Sequence, residues 1–168
     1  MFRFVKTTTA AATVSLSALI ASSAFAGQGI SDIDVQAGIA APQGSNALDY
    51  YPTIAEDLER EILERVAVSD DPTGPKIKVQ IRRVSLDGDT ILPDSAEFNE
   101  LEGYVNYNGG SRDVGEVIKL SAYTDNTAAP AGVVTIPPSQ ADFYDAMITA
   151  FADRVIELVP AEDIQADG

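Results

Sequence analysis

The first 26 residues set the terms for everything this chain can fold into. Arg3 and Lys6 give a short positive start, an uncharged run from Thr7 to Phe25 follows, and Ala24-Phe25-Ala26 closes it before Gly27. Charge, apolar stretch and small-x-small exit, in that order, read as a secretory signal peptide cut after Ala26. A removed leader adds nothing to the core, so the fold must come from the remaining 142 residues, Gly27 to Gly168. That is about one domain with a single core. It must also hold by packing alone, because the chain has no Cys and hence no disulfide.

The competing reading is a membrane anchor. A spanning helix needs about 20 predominantly apolar residues, whereas this run opens Thr7-Thr8-Thr9 and carries Ser15, Ser17, Ser22 and Ser23. No positive cluster follows to stop transfer. Without Cys the cleaved end cannot take a bacterial lipid anchor, and without paired Arg at the start the pattern is that of ordinary unfolded export. The expected product is a free protein of the periplasm or the medium, with no stable membrane insertion after cleavage.

Charge narrows the partners. The leader takes two of the 11 basic residues and none of the 26 acidic ones, moving the formal net charge from −15 to −17. Such a surface repels phosphate backbones and anionic lipid headgroups, so no nucleic-acid partner is expected. Absent residues exclude more. Without Cys or His there is no thiol nucleophile, no Ser-His-Asp triad and no imidazole or thiolate metal site. Trp is also absent, which removes one common sugar-stacking platform.

Hydrophobic spacing gives the elements. Ile33, Val35 and Ala37 alternate as in a half-buried strand, and a loop follows from Ala40 to Asn46. Pro52 opens a helix with the stripe Ile54, Leu58, Ile62 and Val66, in which Glu56 precedes Arg60 and Glu61 precedes Arg65 by one turn. The run 69–75 ends it. Ile77, Val79 and Ile81 then alternate, but the phase slips at Arg82-Arg83 before Val84 and Leu86 resume. One extra residue there, a β-bulge, would account for the slip and would turn Arg83 inward toward a buried acid.

Asp87-Gly88-Asp89 is a turn, and Pro93 places the following segment in a loop. Leu101, Gly103, Val105 and Tyr107 mark a strand, Asn108-Gly109-Gly110-Ser111 a hairpin, and Val114 to Tyr123 its partner. Val133 to Ile136 suits a short strand. Ser139 and Asp142 cap a last helix carrying Phe143, Met147, Phe151, Val155 and Leu158. Pro160 stops it, and Ala161 to Gly168 reads as an acidic, disordered tail. The expectation is an α+β two-layer sandwich over 27–160, ordered β-α-β-β-β-α, with a mostly antiparallel sheet and two helices on one face.

Chemistry is harder to find. A calcium loop begun at Asp87 has Asp89 in place but puts Ile91, Leu92 and Phe98 where ligands or Gly are needed. Asp32 and Asp34 share a strand face without forming a cage, and Asp70-Asp71 are turn residues. No acid pair is singled out for hydrolysis, no Ser stands three residues before a Lys, and Gly109-Gly110 is a turn rather than a phosphate cradle. Lys76, Lys78, Arg82 and Arg83 are either a docking strip for an acidic ligand or partner, or a strand whose charges face acids on its neighbours or guard an edge against aggregation. Tyr104, Tyr107 and Tyr123 either form an exposed binding surface or pack over the sheet, with Tyr51 stapled against the first helix. No catalytic, cofactor-binding or metal-ligating residue emerges.

The layout of exported leader, helix from Tyr51-Pro52-Thr53-Ile54-Ala55-Glu56-Asp57-Leu58, long strand, hairpin and closing helix resembles small uncharacterised exported α/β domains of Gram-negative bacteria. In element order it is similar to α/β domains of outer-membrane-assembly and secretion accessory lipoproteins, over about Ile30 to Val159. That resemblance is one of topology; the lipid-anchor Cys is missing, and no functional residue transfers. The leading expectation is a non-enzymatic periplasmic protein that binds or assists another envelope component through its sheet face or an edge, with the oligomeric state open. The alternatives are a carboxylate-dependent hydrolase and a cation-binding module.

Overall fold

A computed structural model describes residues 29–39, 44–109, 112–122 and 143–164. In chain order it places β1 (Asp32–Ala37), α1 (Ala47–Tyr50), α2 (Ile54–Leu63), β2 (Lys76–Ser85), β3 (Glu100–Gly109), β4 (Arg112–Ser121), α3 (Phe143–Ile156) and α4 (Ala161–Ile164). The segment read as a leader, the expected strand at 133–136, Tyr123 and the expected cap at 139–142 lie outside the described residues.

Helix α2 forms where the stripe requires it, and Ile54, Leu58 and Ile62 are fully buried. Its charges sort themselves differently from the sequence pattern. Arg65 does pair with Glu61 at 2.8 Å, but Arg60 turns back to Asp57 at 2.5 Å rather than to Glu56. Asp57 is the better acceptor because Thr53 Oγ1 at 2.9 Å and Tyr144 Oη at 2.7 Å already hold its carboxylate in place. Helix α3 is buried more broadly, through Met147, Ile148, Phe151, Ala152 and Val155.

The strands lie in the order β1-β2-β3-β4. Strand β1 runs parallel to β2, with α2 in the connection that parallel neighbours require. The other two pairings are antiparallel. This is the expected α+β arrangement, with a mostly antiparallel sheet and α2 and α3 packed on one face. The slip at Arg82-Arg83 is a real irregularity: the register passes from Ile81 opposite Gly103 straight to Arg83 opposite Glu102. Arg82 is the extra residue. Arg83 does not turn inward, since it shares the outer face with Glu102, and Val84 takes the inner position opposite Leu101.

The inner face supplies Ile77, Val79, Ile81 and Val84 from β2, Leu101, Val105 and Tyr107 from β3, and Ile118 from β4, all buried. At Gly103 an added Cβ would stand 2.8 Å from Phe151 Cζ, so the missing side chain is what lets α3 lay its ring on the sheet.

Two short helices add to the expected set. Ala161–Ile164, read as the start of a disordered tail, is helix α4. It docks through a hydrogen bond from the buried Tyr107 hydroxyl to Asp163 and through Ala67 N–H to Ile164 O at 3.2 Å. Tyr51 is packed, and its ring partners come from α3 and from the segment before β3: it stacks on Tyr144 at 4.9 Å and meets Phe98 edge-on at 5.2 Å.

Candidate functional site: the bare face of the sheet

Side chains alternate across a sheet, so the residues between the core positions all share the side opposite α2 and α3. Of the four basic residues clustered in sequence, the register gives three an acid across a strand. Lys76 faces Asp32, Lys78 faces Asp34, and Arg83 faces Glu102, which also faces Lys119. With Glu100 and Asp113, the described strands place five acids and five bases on this side, so among the described residues their formal charges cancel on a chain at −15.

One corner of the face is tightly built. Glu100 accepts a hydrogen bond from Ser85 Oγ at 2.8 Å, and Lys119 Nζ lies 3.2 Å from its other oxygen. Burial alone would raise the Glu100 pKa, but these bonds and the charges of Lys119 and Arg83 outweigh it, and the net shift is downward. Ser85 is fully buried and is the donor to that carboxylate.

Arg82 is the exception among the bases. Displaced by the bulge, it has no registered cross-strand partner, and its guanidinium lies over the Tyr104 ring, 4.8 Å from the centroid. Its Nε–H is directed at Gln80 Oε1 at 3.4 Å. Both neighbours are seated on glycine. An added Cβ at Gly38, just past β1, would stand 2.8 Å from Gln80 Nε2. One at Gly115 on β4 would collide with the Tyr104 hydroxyl. Gly38, Gln80, Arg82, Tyr104 and Gly115 thus form a continuous row across the four-stranded sheet. Bulges re-aim a side chain at such places, and a glycine inside a strand marks a close approach. Both signals stand in the sequence, at Arg82-Arg83 and at Gly115.

The other sequence candidates separate. Tyr107 points into the core and Tyr104 onto the bare face, as their opposite parity on β3 requires. Asp87 and Asp89 are occupied within their own loop, by Asn99 Nδ2 at 2.7 Å and Ile91 N–H at 2.9 Å. Asp71 holds Thr73, and Asp34 accepts from Gln36. Among the described residues no three acids converge closely enough to hold a metal ion. Asp57, Asp71 and Glu100 all have lowered pKa values, whereas a catalytic general acid wants a raised one. No described helix is long and apolar enough to cross a membrane.

Comparison with known proteins leaves this geometry to speak for itself: no family model matches the chain, and no curated protein or solved structure matches it at a significant level.

Proposed function

We propose that the chain is an exported, non-enzymatic binding domain that docks an envelope protein through the bare face of its sheet. The observation that carries this reading is the row from Gly38 to Gly115, which fixes a guanidinium on an aromatic ring in the middle of a charge-balanced surface. A strongly acidic body keeps the domain soluble and repels acidic neighbours. The neutral face is where another molecule meets no such barrier. The signal-peptide pattern before Gly27 supports delivery to the periplasm or medium.

Photo-crosslinking from two exposed positions tests the proposal. A photoreactive residue replacing Lys78 on the bare face should give discrete adducts in intact cells. The same residue replacing Glu56 on the exposed side of α2 should give none. Equal patterns from both positions, or no adduct from Lys78, would overturn it.

A further inference from the structure

We infer that Arg82 reads a single carboxylate on the docked partner, presented by one Asp or Glu set between uncharged residues. The inference rests on the docking proposal and gives it a chemistry. A guanidinium has five donors in a planar fork that matches a carboxylate with two parallel hydrogen bonds. In Arg82 only the Nε–H is directed at a neighbour, and the Nη donors have no partner among the described residues. By register the other described bases of this face stand opposite an acid, and Lys119 also reaches ion-pair distance of Glu100 at 3.2 Å; Arg82 alone among them stands opposite none. Stacking on Tyr104 and the bond to Gln80 restrict the side chain before the partner arrives, which lowers the entropy lost on binding.

The neighbours limit what can be read. Glu102 and Asp34 share the face, and the whole chain stands at −15. A run of acids or a polyanion is repelled by that field, while one isolated carboxylate meets the fork and little else.

NMR titration of the chain from Gly27 onward provides the test, with end-blocked Ala-Ala-Glu-Ala-Ala as probe and Ala-Ala-Gln-Ala-Ala as its uncharged counterpart. The Glu peptide should shift the Arg82 Nε–H, the Tyr104 ring and the Gly115 amide, and the Gln peptide should leave them in place. Arg82→Lys keeps the charge and loses the fork, so affinity for the Glu peptide should fall roughly tenfold with melting unchanged. Equal response to the two peptides, or wild-type affinity in Arg82→Lys, overturns the inference. Adducts from position 78 separate the two levels: if they persist at full yield in Arg82→Lys, docking stands and carboxylate reading falls. If the wild type gives none, docking itself falls.

Discussion

The two faces of the sheet use one device for opposite ends. On the inner face Gly103 leaves room for Phe151, and the ring is sealed under α3 at zero exposure. On the outer face Gly115 leaves room for Tyr104, and the ring is partly exposed beneath a guanidinium. A ring seated on a glycine contributes stability when something closes over it. When solvent lies over it, the same seat contributes orientation. Substitutions on the inner face should therefore register in unfolding, and those on the outer face in binding.

The largest effect should come from Phe151→Ala, which empties a fully buried aromatic site and should lower stability by about 3–5 kcal/mol in urea denaturation. Gly103→Ala acts on the same contact from the other side. Its Cβ would meet both Phe151 Cζ and, at 3.1 Å, the Gln80 carbonyl, and neither can swing away, so a loss of about 1–3 kcal/mol is expected. If Gly115→Ala costs as much, the contrast between the faces is wrong.

Next in size is the polar bridge between α2 and α3. Tyr144→Phe removes one donor to Asp57 and should cost about 1 kcal/mol at neutral pH. Its pH dependence carries a sign. Burial alone raises the Asp57 pKa, but bonds from Tyr144, Arg60 and Thr53 outweigh it and the net shift is downward from 3.8. That contribution is present above the ordinary carboxyl pKa and is lost as pH falls through the lowered one. Tyr144 is displaced the other way: burial first, then the bond to Asp57, raises it from 10.0. Its contribution is complete below the ordinary phenol pKa and is lost as pH climbs toward the raised one. Thermal melts across pH should show both limbs, and Tyr144→Phe should shift the acid limb to higher pH and flatten the alkaline one.

The smallest stability effects belong to the bare face. Gly115→Ala pushes the Tyr104 hydroxyl, the free end of a flexible side chain, and stability should change by about 0.5 kcal/mol or less. The Tyr104 ring should leave Arg82, seen as altered ring chemical shifts, with a reduced crosslinking yield from position 78. Lys119→Gln should cost about 0.2–1 kcal/mol, since its ammonium is half-exposed. A melting shift matching that of Phe151→Ala would make this face structural rather than functional.

The inner face was readable in the sequence because burial writes itself as periodicity. Ile54, Leu58 and Ile62 repeat at helical spacing, Ile77, Val79 and Ile81 at strand spacing, and the bulge announced itself as a phase slip. The direction in which that slip aims a side chain was not readable. Arg82 and Arg83 are adjacent and chemically alike, and only the register with Glu102 shows which one is extruded. Partners chosen among equivalents were also hidden: Arg60 prefers Asp57 to Glu56 because Tyr144, 87 residues away, has already placed that carboxylate. The same holds for Tyr51, whose stacking partner comes from α3. The bare face is hard to read because solvent imposes no pattern on the residues it touches. Its two glycine seats were visible as letters but not as seats.

The parallel pairing of β1 with β2 bears on the order in which the sheet assembles. Asp32 meets Lys76 only after 44 residues of chain have closed, whereas Ser85 meets Glu100 after 15. Loop closure over the longer span costs about 1 kcal/mol more, and β1 is a short edge strand of six residues. The first strand in the chain is therefore expected to join the sheet after β2 and β3 have paired, and its amides should exchange with deuterium before those of β3. Gly38, at the end of that strand, is the seat of Gln80. Whenever β1 lifts away, the support beneath Gln80 and Arg82 goes with it, so the pre-set geometry of the bare face lasts only as long as this edge strand stays in place.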